Sequence, residues 1–359
     1  MRITIDASST LVRSAGVKTY TYHWIAHLRR QAAPGEEIAA YPFLHHLGQL
    51  NHERWALSLP AAALRLALVH AVNWLGPAAL DGVVSGSDIF HASNLAHHAP
   101  RRARLTATVH DLTTFLMPEL HTAGNIRADR TFSEQILRRA NGLIAVSENT
   151  RQDAIRVLGI SPERVTTIYS GVAQEYFDAA PAARAKQYAL YVGAIEPRKN
   201  LETLLDAWQL LRADLREVFD LAIAGPMGWA PKATRERIRT EATYLGYVPE
   251  ADLPGLVAGA AVFVYPSLYE GFGFPVAQAM AAGAPVVTSN TSCLPEITGD
   301  AAALVDPRSA GEIAAALARL LESPTLRAEL SESGRQRAQR YRWETCAAQS
   351  LEFFRQIAG

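Results

Sequence analysis

Short, β-branched apolar runs alternate with longer stretches of helical period along almost the whole chain, and this alternation excludes most folds at once. The runs fall at residues 3–5, 89–91, 106–109, 143–146, 165–168, 189–192, 221–224, 262–265, 286–288 and 303–305. Between them lie segments such as 17–30, where Val17, Tyr20, Trp24 and Leu28 share one helical face, and 201–211. Short apolar strands that alternate with helices form parallel sheets covered on both faces. At 359 residues the chain is too long for one ordinary domain and suits two. The stretch at 179–186, rich in alanine and carrying Pro181, is expected to be the linker. One α/β domain is then expected over 1–178 and another over 188–341, with the amphipathic tail, 342–359, crossing back to the first. Such folds bind ligands at the carboxyl ends of their strands, so a cleft is expected where the two sets of strand ends meet.

Thirty-five basic residues balance thirty-five acidic ones, so no global field draws the chain toward nucleic acid. The two cysteines, Cys293 and Cys346, form no CxxC, which argues against a disulfide framework or zinc ribbon and suits a reducing compartment. The apolar stretch 61–75 is interrupted by Arg65, His70 and Asn73 and is not expected to span a bilayer. With no signal-like run at the start, the reading is a soluble, cytoplasmic protein. Eleven histidines raise the question of a metal, but no metal site is expected.

The most informative segment is Tyr269-Glu270-Gly271-Phe272-Gly273-Phe274-Pro275-Val276-Ala277-Gln278. A buried strand enters a glycine-rich turn, and Pro275 stands near the first helical position. Gly271 and Gly273 let the backbone, with Phe272 and Phe274, come close to a ligand, and the helix start favours an anion such as a diphosphate. Glu270 and Gln278 are expected to point into the same cleft. A carboxylate beside a phosphate site suits sugar hydroxyls, which donate to it. The run is read as exposed, since Glu-Gly-Phe-Gly-Phe-Pro does little for a core. A dinucleotide fingerprint would need a third glycine where Val276 stands.

This segment resembles the retaining glycosyltransferases of family 4, of GT-B fold, whose signature is two glutamates separated by seven residues. Glu270 matches the first, which in that family holds the donor sugar; Gln278 replaces the second, which holds the nucleotide ribose. Gly193-Ala194-Ile195-Glu196-Pro197-Arg198-Lys199-Asn200 resembles the family's diphosphate clamp. Lys199 matches its lysine, Ala194 replaces its arginine, and Arg198 is expected to supply the missing charge. Ser14-Ala15-Gly16-Val17 resembles the first loop, with Gly16 near the donor phosphate. Thr108-Val109-His110-Asp111 resembles the family's histidine–aspartate pair, with His110 on the transferred sugar and Asp111 either functional or a turn cap. Val248 falls where the family's backbone reads the nucleotide base.

The resemblance implies two Rossmann-like domains with parallel sheets facing across a cleft, the donor held by the second domain and the acceptor by the first. It implies transfer with retention, by front-face attack in which a donor phosphate oxygen takes the acceptor proton. No metal or cofactor is implied beyond the nucleoside-diphosphate sugar. The Glu-Pro-Arg-Lys-Asn and Ser-Cys-Leu-Pro-Glu segments look most like bacterial mannosyltransferases of polysaccharide assembly, which suggests GDP-mannose and a glycan, lipid-linked or small-molecule acceptor. Peripheral contact with the inner face of the membrane is a further expectation, and nucleic acid is not a partner. The alternatives are a nucleotide-sugar-binding protein that has lost activity, suggested by Ala194 and Gln278, and a sugar-nucleotide epimerase on a GT-B-like scaffold.

Overall fold

The computed structural model describes residues 1–11, 16–44, 59–93 and 95–359. The chain forms two compact units, Met1–Gly171 with Arg342–Gly359, and Val172–Tyr341. The first unit holds a six-stranded sheet of β1 (Arg2–Asp6), β2 (Glu37–Tyr41), β3 (Ile89–Ala92), β4 (Arg104–Val109), β5 (Gly142–Ala145) and β6 (Val165–Thr167). Its strand order is β2-β1-β3-β4-β5-β6. The second unit holds β7 (Gln187–Val192), β8 (Phe219–Ala224), β9 (Thr243–Gly246), β10 (Val262–Tyr265), β11 (Val286–Ser289) and β12 (Ala303–Val305), in the order β12-β11-β10-β7-β8-β9. Every pairing in both sheets is parallel. Central strands such as β5 and β10 are buried at every residue, as sheets covered on both faces require. The fold is therefore a two-domain Rossmann-like GT-B architecture.

Two strands, β2 and β9, escape the sequence pattern, and both lie at sheet edges. The unit boundary also differs from the expected linker. Helix Gln174–Phe177 packs on helices Leu253–Ala258 and Phe274–Ala282 and buries Tyr176 there, so residues 172–178 belong to the second unit rather than the first. The 179–186 stretch is bound to that unit as well, with Ala182 N donating to Gly255 O at 2.9 Å. Composition marks this stretch as weak in structure, but a backbone hydrogen bond and one buried aromatic decide where it belongs.

The C-terminal helix Trp343–Ala358 lies in the first unit against helix Gly16–Gln31. Trp343, Leu351, Phe353 and Phe354 are each buried, and Trp24 Nε1 donates to Ser350 Oγ at 2.9 Å.

Candidate active site

In the second sheet the strand order reverses between β7 and β10, because the connections leaving these neighbours run to opposite sides. Both strand exits carry the residues singled out by sequence. The β7 exit turns through a short 3₁₀ segment, Pro197–Lys199, which ends at Asn200 with φ 60°. Asn200 Nδ2 donates to Pro266 O at 3.0 Å and Pro307 O at 2.6 Å, which stitches this turn to the β10 exit. Leu268 N donates back to Arg198 O at 2.9 Å. From the next strand, Ser289 and Thr291 hydroxyls hold the carbonyls of Ser267 and Leu268. Ser292 Oγ accepts from Glu270 N at 3.1 Å. Three hydroxyls on one neighbouring segment thus hold the loop that presents Glu270.

The Glu270 carboxylate is a buried hub. Its Oε1 accepts from Lys199 Nζ at 2.6 Å, Ser267 Oγ at 2.7 Å and Tyr265 Oη at 3.1 Å, with Arg198 Nη1 at 3.2 Å. Lys199 Nζ also reaches Tyr265 Oη at 2.6 Å. Burial alone would raise the Glu270 pKa, but Lys199 and Arg198 outweigh it and hold the carboxyl at about 2. Glu270 is therefore ionised at neutral pH and cannot be a proton donor. Burial and the neighbouring Arg198 pull Lys199 downward while Glu270 opposes them.

Arg198 has partners within its own unit. Its Nη2 pairs with Glu196 Oε1 at 2.8 Å and its Nη1 donates to Tyr269 O at 2.5 Å, so it braces the loop under Glu270. Glu196, Ser267 and Tyr265 were not singled out from sequence. The signal was weak: each lies within five residues of a chosen residue, but only the fold turns Ser267 and Tyr265 toward Glu270 and Glu196 toward Arg198.

After Glu270 the chain passes through Gly271, Phe272 and Gly273 into helix Phe274–Ala282. Gly273 has φ 80°, a conformation that favours glycine, and no side chain caps the helix start. The run is not exposed as expected: Glu270 and Phe272 are both buried, and the Phe272 ring packs edge-on against Phe274 at 5.1 Å and Tyr341 at 5.5 Å. Phe272 therefore anchors the turn, and only its backbone is left to face a ligand. Gln278 is half-buried in the first turns of the helix. Val248 follows edge strand β9, separated from β7 by β8, and is not brought into the Lys199–Glu270 cluster.

In the first unit His110 lies half-buried just past the end of β4, with its ring 4.9 Å from Tyr20 in an edge-on arrangement. Burial pushes its pKa down to about 4, against a smaller upward pull from Asp111, so the imidazole is neutral at pH 7. Asp111 Oδ1 accepts from Thr113 N at 3.0 Å and Thr113 Oγ1 at 2.7 Å, the geometry of a turn cap. Gly16 opens its helix exposed, with nothing within 4 Å of a Cβ placed on it; Ser14 and Ala15 lie outside the described residues. Among the described residues no three His, Cys, Asp or Glu side chains converge as metal ligands would. His97 N and His98 Nε2 instead meet Asn73 on helix Leu59–Leu75.

A family model described as Glycosyltransferase Family 4 matches residues 14–176, and one described as Glycosyl transferases group 1 matches 172–337. The chain is 35% identical to the O-antigen chain mannosyltransferase B of Escherichia coli over 287 residues, 74% of each protein. It is 31% identical over 231 residues to the MMP alpha-(1->4)-mannosyltransferase of Mycolicibacterium hassiacum, 62% of this chain and 55% of that protein. Among solved structures, sucrose-phosphate synthase from Thermosynechococcus elongatus superposes with a TM-score of 0.72 at 19% identity, covering 99% of this chain and 98% of that one.

Proposed function

This chain belongs to the family 4 glycosyltransferases and acts on glycan acceptors, and from that premise we propose that it transfers mannose from GDP-mannose, with retention of configuration and without a metal ion. The buried Lys199–Glu270 pair at the reversal point of the second sheet carries this reading. The donor diphosphate lies at the start of helix Phe274–Ala282, where outward N–H groups and the helix dipole favour an anion. Lys199 leaves Glu270 for the diphosphate and neutralises the charge that builds on the leaving group. Glu270, released from one donor, accepts from hydroxyls of the sugar. Gln278 bonds the ribose, and the backbone at Val248 reads the base. Arg198 stays on Glu196 and the Tyr269 carbonyl, so Lys199 carries the clamp. The first unit supplies neutral His110 for one hydrogen bond to the sugar. The mannosyl donor is supported by the names of the relatives above.

A lipid-linked acceptor and peripheral membrane contact form the finer part of the proposal. Helix Leu59–Leu75 leaves Leu64, Trp74 and Leu75 exposed, and residues 59–80 hold no acidic side chain. No described helix is long and apolar enough to cross a membrane.

The test is a melting-temperature panel of GDP, UDP, ADP and their sugars, followed by turnover with the stabilising donor in excess EDTA. A ligand that binds only the folded chain at a hundred times its Kd stabilises it by about 2.7 kcal/mol. GDP and GDP-mannose should raise the melting temperature most, with turnover intact in EDTA. Selective stabilisation by UDP or ADP would refute the donor assignment, and loss on chelation would refute the metal-independent step.

A further inference from the structure

Strand β4 presents Thr106 and Thr108 on one face, and His110 directly follows its last residue, Val109. Behind that face His91 from β3 bridges the two threonines, with Nδ1 3.0 Å from Thr106 Oγ1 and Nε2 3.0 Å from Thr108 Oγ1. Against the His110 ring stands Tyr20, buried and edge-on at 4.9 Å and 84°. Tyr20 is itself walled in. Trp24 lies 5.3 Å from it on its own helix, and Trp343 of the C-terminal helix lies 5.6 Å away. Trp343 has little room to move: His23 stacks on it at 5.6 Å and 15°, and a Cβ on Gly171 would fall 2.4 Å from its ring.

We propose that Tyr20 is a positioning residue that sets the plane and the dry surroundings of the His110 imidazole, and that Trp343 holds Tyr20 in place. The tail of the chain thereby serves the transfer step as well as the fold of its unit. An edge-on aromatic restricts a ring without using either of its nitrogens, so His110 keeps a nitrogen for a sugar hydroxyl. The titratable groups around this stack include Asp111 on the His110 turn, His91 across from β3, Cys346 behind Tyr20, and His23 and His27 stacked on Trp343. The inference rests on the proposed role of His110, and its test separates the two.

Histidine-labelled protein would be titrated by NMR, and turnover measured with the donor found active above, for wild type, Tyr20→Phe, Tyr20→Leu and His110→Ala. Tyr20→Phe keeps the ring edge and should leave the His110 midpoint low and turnover within about twofold. Tyr20→Leu should raise the midpoint toward the ordinary value of about 6.5. It should also lower kcat roughly tenfold to a hundredfold with donor KM unchanged. An unmoved His110 midpoint in Tyr20→Leu would overturn the positioning claim, whatever happens to turnover. Full turnover in His110→Ala would instead overturn the catalytic reading of His110, while the NMR still judges Tyr20. Should Tyr20→Leu fail to fold by circular dichroism, Trp343→Leu is read by the same two measurements and decides in its place.

Discussion

Lys199 and Glu270 meet at 2.6 Å with only 11% and 9% of their side chains exposed, so each depends on the other for its charge. Removing one partner of such a pair strands a buried charge, whereas neutralising both leaves little to compensate. Lys199→Ala should cost about 3 kcal/mol in urea unfolding, somewhat eased by Arg198, while Lys199→Met with Glu270→Gln should recover most of it. Equal losses in the single and double variants would show that the pair is not coupled. The two residues were legible in the sequence because each sits in a motif at a strand exit. The partner of Arg198 was not legible, because a cation in a loop takes whichever anion the fold brings nearest. Here that anion is Glu196, two residues away and buried, at 2.8 Å.

At the scale of elements, the central strands announced themselves and the edges did not. The missed strand β9, Thr-Tyr-Leu-Gly, is half-buried at all four positions, so it carries neither a continuous apolar run nor a clean alternation. The missed β2, Glu-Ile-Ala-Ala-Tyr, has two alanines where a β-branched pair would have marked it. The turn into helix Phe274–Ala282 was readable because its glycine is required. A Cβ at Gly273 would lie 2.7 Å from Leu294 Cδ2, at a φ of 80° that side chains avoid. Gly273→Ala should therefore destabilise the chain by about 1–2 kcal/mol from backbone strain alone, measured by denaturant midpoint. It should also weaken nucleoside-diphosphate binding by calorimetry, because the helix start moves with the turn. Unchanged stability together with unchanged binding would mean that the loop repacks freely.

The whole molecule has two units that should answer acid differently. Burial holds His91 at about 3 and His110 at about 4, so both stay neutral where the unfolded chain takes up protons below about 6.5. The first unit should lose stability as pH falls from about 6.5 toward these values, offset in part by Asp6 and Asp129, which burial pushes upward. In the second unit Glu270, held at about 2, keeps its contribution until pH falls below about 4.5. Glu250, raised to about 7 by burial, adds stability to that unit as it protonates between neutrality and pH 4.5. Hydrogen exchange from pH 7 to pH 5 should show protection falling in the first unit and holding in the second; a uniform fall would contradict this. Deleting residues 343–359 should unfold the first unit while Val172–Tyr341 remains protected. Trp343, Leu351, Phe353 and Phe354 are all at most 4% exposed, and each is worth about 1.5–3 kcal/mol. Together they are comparable with a domain's whole stability of about 5–15 kcal/mol. The sequence by itself determined that the chain builds parallel α/β sheets, and that a lysine follows one strand exit and a glutamate another. These follow from side-chain period and strand-end motifs, which are local. Only the tertiary structure decided that β7 and β10 lie side by side, that Arg198 pairs with Glu196, and that Tyr20 packs between His110 and Trp343. Those outcomes depend on which distant segments the packing makes neighbours, and no local pattern encodes a neighbour.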